Sequence, residues 1–197
     1  DKNAHYTVDG YRILNWLIQY DGTNAISYKV GRDRFETVIL ASGQWRCMFS
    51  QPYEIVMCGK GGNGGGTNGG HIGSNGGGAL TGHKKIYIEA SDVWTAVFSA
   101  ASGGTCSFAN IANTLQAQNG YDGVANAKDS ATAGGSSHAG FDRVVAGKYG
   151  GINSNDGRAF GGDSELGIGG ENGLLLNSNV GGNGKGYGAG AGSGYYI

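Results

Sequence analysis

A length of 197 residues suits one domain or two small ones, with enough chain to bury a core. Fourteen basic residues against fifteen acidic ones leave a formal net charge of -1 and no basic stripe, which argues against nucleic acid or an anionic membrane as partner. Forty-two glycines beside a single proline exclude collagen and leave turns, disorder or a packed glycine lattice.

Residues 1–58 read as a β domain. The runs YRILNWLIQY, AISYKV, FETVILAS, WRCMFS and YEIVMC are rich in β-branched and aromatic residues, with Asp21-Gly22 and Val30-Gly31 as punctuation, and predict four to five antiparallel strands. Pro52 is expected between two of these runs, where a missing N–H is tolerated. The start DKNAHYTVDG has no initiator Met and no signal-like apolar region, and the longest mostly apolar run, Val93 to Ala101, is too short to span a bilayer. The expectation is a soluble fragment or processed product without membrane insertion. Cys47, Cys58 and Cys106 make an odd number without a CxxC pair, so buried free thiols are expected rather than a disulfide framework or a zinc site.

The chain changes regime at Gly59. Four glycines precede it and 38 fall in the remaining 139 residues. Gly61, Gly64, Gly70, Gly73 and Gly76 keep a period of three broken only at Thr67, and Gly161, Gly167, Gly170 and Gly173 repeat it. Three residues per turn is the polyproline II repeat, which has no internal hydrogen bonds, so its backbone groups must bond to neighbours. The expected fold is therefore mainly β with polyglycine II helices and almost no α-helix: a β-rich part over 1–58, then a polyglycine II sandwich over 59–197. Between the glycine blocks, Lys84–Ala90 and Val93–Ala100 predict a hairpin across Ser91-Asp92. The tail from Gly184 alternates glycine with other residues and fits a silk-like strand as well as a polyglycine helix, with Tyr195, Tyr196 and Ile197 expected to close a sheet.

Three motifs suggest chemistry and fail on context. GKGGNG (59–64) follows a strand and fits GxGxxG, but the glycines after it cannot begin the helix that a dinucleotide needs. GGDSEL (161–166) is like an esterase block, yet all four histidines precede Ser164. The GGD and GGE pieces never complete a calcium-binding nonapeptide, and His71 has no second ligand nearby in sequence. No cofactor or metal is expected.

Taken in order, YEIVMCGKGGNGGG, KKIYIEASDVWTAVFSAASG, GGTCSFANIANTLQAQNG and GGNGKGYGAGAGSGYYI resemble the glycine-rich tip module of bacteriophage tail fibres over about three quarters of the chain, and are similar to the receptor-binding adhesins of T-even-like phages. The glycine motifs are less pure than in those adhesins. The resemblance implies a noncatalytic adhesin at the distal tip of a virion's tail fibre. It would bind a bacterial outer-membrane protein or lipopolysaccharide, and residues 1–58 would join the rest of the fibre. A homotrimer and a monomeric cap both fit. Binding residues usually sit on loops held by a stiff scaffold, with aromatic and arginine anchors. The candidates are Tyr121, Asp122, His138, Phe141, Arg143, Tyr149, Asn153, Asp156, Arg158, Phe160 and Leu174. Phe141 and Phe160 fit packing against the scaffold equally well, and within the Leu174-Leu175-Leu176 run Leu175 fits packing better than contact. A glycan-degrading tailspike-like enzyme and an ice-binding or structural polyglycine protein are the alternatives; the chemically diverse inserts favour recognition over a flat repetitive face.

Overall fold

The computed structural model describes residues 16–20, 25–30, 35–47, 49–66, 73–127, 130–152, 160–171 and 181–193. Its regular elements are strands, and no helix occurs among the described residues. β1 (Trp16–Tyr20), β2 (Ala25–Val30) and β3 (Phe35–Val38) form an antiparallel sheet in chain order. Then follow β4 (Gly43–Arg46), β5 (Gln51–Cys58), β6 (Thr81–Ile88), β7 (Val93–Val97), β8 (Thr105–Ala109), β9 (Thr114–Gln118), β10 (His138–Ala139), β11 (Arg143–Val145), β12 (Gly167–Ile168) and β13 (Lys185–Gly186).

Two of the sheets share a core. One has the order β10-β9-β8-β7-β4 and the other β11-β6-β5. Burial alternates along β7, β8 and β9, as the period of two requires of strands with one face covered. Trp45, Trp94, Ala96, Phe108 and Leu115 from the larger sheet meet Ile88 and the half-buried Tyr53, Ile55, Met57 and Ile86 from the smaller one. Trp94 stacks on Phe108 with ring centres 4.9 Å apart, and Trp45 meets Tyr53 edge-on at 5.8 Å. Such aromatic pairs contribute roughly 0.5–1.5 kcal/mol beyond the area they bury. Cys47, Cys58 and Cys106 are free thiols; the first and last are buried and Cys58 is half-buried.

The predicted hairpin is not formed. β6 pairs with β5 and β11, whereas β7 pairs with β4 and β8, so the two runs lie in different sheets. Ser91, at φ 72°, turns the chain from one sheet into the other. The turn is held by Cys47, whose carbonyl accepts from the Ser91 N–H and whose N–H donates to the Asp92 carbonyl, each at 2.8 Å. The physical reason is burial: in facing sheets Ile86 and Ile88 cover Trp94 and Ala96, and both apolar sets leave water together. Pro52 also differs from expectation, since it lies inside β5 opposite Tyr87. β5 is an edge strand, so a residue without an N–H is accommodated there.

The composition change at Gly59 does not separate the sheets. β4 and β5 lie before it and are bonded to β7 and β6 after it, and the Gly59 N–H donates to the Leu80 carbonyl in continuation of the β5–β6 register.

Every residue of 73–80 is buried. The N–H groups of Ser74, Gly77 and Leu80 donate to the carbonyls of Val124, Tyr121 and Gln118, at 2.9, 2.9 and 3.0 Å. Those of Gly76 and Ala79 donate to Ala191 and Gly188, and that of Gly78 to Lys148. From the other side, the N–H groups of Gly59, Gly62 and Gly65 donate to Leu80, Gly77 and Ser74. The segments at 59–65, 118–124 and 188–191 are thus each met at every third residue, and successive N–H groups reach different neighbours. This is unlike a β-ladder, where bonds to one neighbour alternate. Past β13 the tail behaves the same way: Gly190, Ala191 and Gly192 donate to Gly162, Gly62 and Gly182. Asn75 replaces a peptide link with its side chain, donating to the Gly151 carbonyl at 2.7 Å and accepting from the Ser193 N–H at 2.8 Å.

Candidate functional site

The antiparallel pairing of the glycine segments sorts the chain into two ends. At the Leu80 end lie Gly59, Gln118, Lys148 and Gly188, adjoining the strands. At the Ser74 end lie Gly65, Val124, Thr132, Gly150 and Gly151; the Gly151 N–H bonds Phe160, and Phe160 bridges Glu171. The described chain therefore leaves and re-enters at the Ser74 end on either side of 67–72, 128–129, 153–159 and 172–180.

Large apolar side chains stand exposed toward this end, called the loop end from the expectation for the inserts. Val124 is 62% exposed, Tyr149 67%, Ile152 51% and Phe160 45%. Tyr149 and Phe160 are among the candidates from the sequence; Val124 and Ile152 are not. A valine and an isoleucine in glycine-rich segments carry no local signal, and only their position at the Ser74 end sets them apart. The candidates Asn153, Asp156, Arg158 and Leu174 fall outside the described residues, as do His71 and 195–197.

Tyr121 and Asp122 serve the scaffold in the structure. The Tyr121 ring covers Gly103, whose φ of 61° a larger residue would rarely adopt, and its hydroxyl accepts from Gln118 Nε2 at 3.1 Å. Asp122 Oδ1 accepts the Asn63 N–H at 2.7 Å. Beside them the buried Asn119 clasps the turn after β7, donating to the carbonyls of Ser99 and Ala101 at 2.9 Å each while accepting from the Lys60 N–H.

His138, Phe141 and Arg143 lie at the strand end instead. The Phe141 ring covers Gly82 and packs half-buried on the core, while His138 is exposed on β10. Arg143 joins a charged cluster drawn from three elements. Its Nη2 lies 2.6 Å from Glu165 Oε1 and 2.7 Å from His83 Nε2, which in turn lies 2.6 Å from Glu165 Oε2. The contact with His83, and with Arg143 besides, holds the Glu165 carboxyl below the usual carboxylate range. Next to it Lys148 bonds Asp163 at 2.8 Å and lowers that carboxyl too.

Protein-family models and curated proteins give no match for this chain.

The polar groups of GKGGNG and GGDSEL bond within the chain. In GKGGNG the N–H groups of Gly59, Lys60, Gly62 and Asn63 already donate within the chain. In GGDSEL the Ser164 hydroxyl donates to the Tyr187 carbonyl and accepts from the Leu166 N–H. No group of three or more metal-ligating side chains occurs among the described residues.

Proposed function

We propose that this chain is a noncatalytic receptor-binding tip module of a bacteriophage tail fibre, in which a polyglycine II lattice holds loops against a bacterial surface protein or polysaccharide. Support for the lattice comes from the three-residue recurrence of backbone bonds around 73–80, which matches the repeat of that helix. Support for recognition comes mainly from one observation: at four places the described chain leaves and returns at one end of a buried glycine scaffold, among exposed Val124, Tyr149, Ile152 and Phe160. Binding sites are commonly built this way, from variable loops on a rigid frame with aromatic anchors. Residues ahead of β4 would join the remainder of the fibre.

The test is adsorption of the purified chain to a panel of bacteria. Tyr149→Ala combined with Phe160→Ala should weaken binding to the recognised strain by about 2 kcal/mol, roughly thirtyfold, without changing the thermal midpoint. Unchanged adsorption would remove the loop end as the contact surface. Release of reducing ends from host polysaccharide would replace the adhesin reading with a glycan-degrading one.

A further inference from the structure

At the strand end, β12 and β13 frame an open depression of about 480 Å³ lined by Lys148, Asp163, Ser164, Leu166, Ile168 and Lys185 among others. That volume lies within the range of small-molecule sites. We propose that it takes the carboxylate of an acidic sugar, a hexuronic acid unit, independently of the loop end.

The charges select the sign of the ligand. Asp163 accepts Lys148 Nζ on Oδ2 at 2.8 Å and the Gly169 N–H on Oδ1 at 2.9 Å. Glu165 has both oxygens engaged, one with Arg143 and one with His83. Every carboxylate oxygen facing the depression thus already accepts a donor, so both acidic groups there are paired within the chain. Lys185, in contrast, is exposed and has no acidic partner among the described residues. Lys185 and Lys148 line the same depression, so an incoming carboxylate can pair with Lys185 and share Lys148 with Asp163. Exposed Leu166 and Ile168 supply an apolar surface for the C–H face of a sugar ring. The shallow form suits one or two pyranose rings better than a deeply enclosed ligand.

Ligand-observed NMR and calorimetry on the whole chain would test this, with methyl glucuronide as probe, methyl glucoside as the neutral control and inorganic phosphate as the bare anion. The glucuronide should bind and the glucoside should not. Lys185→Gln should weaken binding about tenfold, the effect of losing one charge-assisted hydrogen bond. Asp163→Asn should tighten it severalfold, because the amide still accepts the Gly169 N–H but releases Lys148. Ile111→Ala, on the exposed β8–β9 connection outside both surfaces, should leave binding unchanged. Equal binding of glucoside and glucuronide, or no loss in Lys185→Gln at an unchanged thermal midpoint, overturns the proposal. Phosphate binding as tightly as the glucuronide overturns its sugar component.

Discussion

A methyl group built on Gly62 would overlap the Tyr121 carbonyl, and one on Gly77 would overlap that of Ala133. At Gly66 the same methyl meets nothing within 4 Å. Gly62 and Gly77 are not among the described glycines with positive φ, which are Gly103, Gly140, Gly186 and Gly188. Close approach of backbones, and not unusual torsion angles, is therefore what glycine provides in the scaffold. Gly62→Ala should cost about 2–3 kcal/mol as an overpacked site, whereas Gly66→Ala should be neutral or stabilising by about 0.5 kcal/mol through the unfolded chain. Urea denaturation of the two variants decides this, and equal midpoints would mean that the segments are not in contact as described. The sequence displayed one phase of this packing, Gly61, Gly64, Gly73 and Gly76. Gly62 and Gly65, outside that phase, are just as confined. A segment with neighbours on several sides needs small residues in every phase, so a single period of three understates the requirement.

Ion pairs link elements that the sequence does not show to be adjacent. Asp142, just before β11, accepts Lys84 Nζ at 2.6 Å and the Lys85 N–H at 2.9 Å on β6. Lys84 holds its carboxyl below the ordinary range, as Lys148 does for Asp163 and His83 for Glu165. A carboxyl whose pKa is lowered on folding stabilises the fold above its unfolded value, and that contribution disappears as pH falls through the lowered one. Unfolded carboxyls titrate near about 4, so the thermal midpoint should be level from about pH 7 to 5 and decline below about pH 4. Scanning calorimetry of Glu165→Gln, Asp142→Asn and Asp163→Asn should show a shallower acid decline in each; three unaltered profiles would refute the assignment. At this scale the existence of strands was legible and their pairing was not. The runs that became β5, β6 and β7 announce themselves by alternation and β-branched residues, whereas Thr105–Ala109 and Thr114–Gln118 give little local signal, and a short connection such as Ser91-Asp92 serves a hairpin or a sheet-to-sheet crossing equally well. The choice was made by Trp45, Trp94 and Phe108, whose burial requires a facing sheet.

Across the whole molecule, segment 73–80 is held by acceptors from widely separated parts of the chain: Gln118, Tyr121 and Val124, then Lys148, then Gly188 and Ala191. Each such bond contributes a net of roughly 0.5–1.5 kcal/mol, against about 1–2 kcal/mol of backbone entropy per ordered residue. A pair of segments alone would not stay together, so the scaffold should open only as a unit. Native-state hydrogen exchange checks this. The amides of Ser74, Gly76, Gly77, Gly78, Ala79 and Leu80 should exchange with the free energy and denaturant slope of global unfolding. Gly66, whose N–H has no acceptor among the described residues, should exchange with little protection. A shallow denaturant slope at Gly77 would instead mean that segments detach one at a time. All-or-none opening has a consequence for the loop end. Gly65, Val124, Gly151, Phe160 and Glu171 are each fixed by bonds to the scaffold, so a substitution at any of them should lower the thermal midpoint only as far as it weakens that common unit.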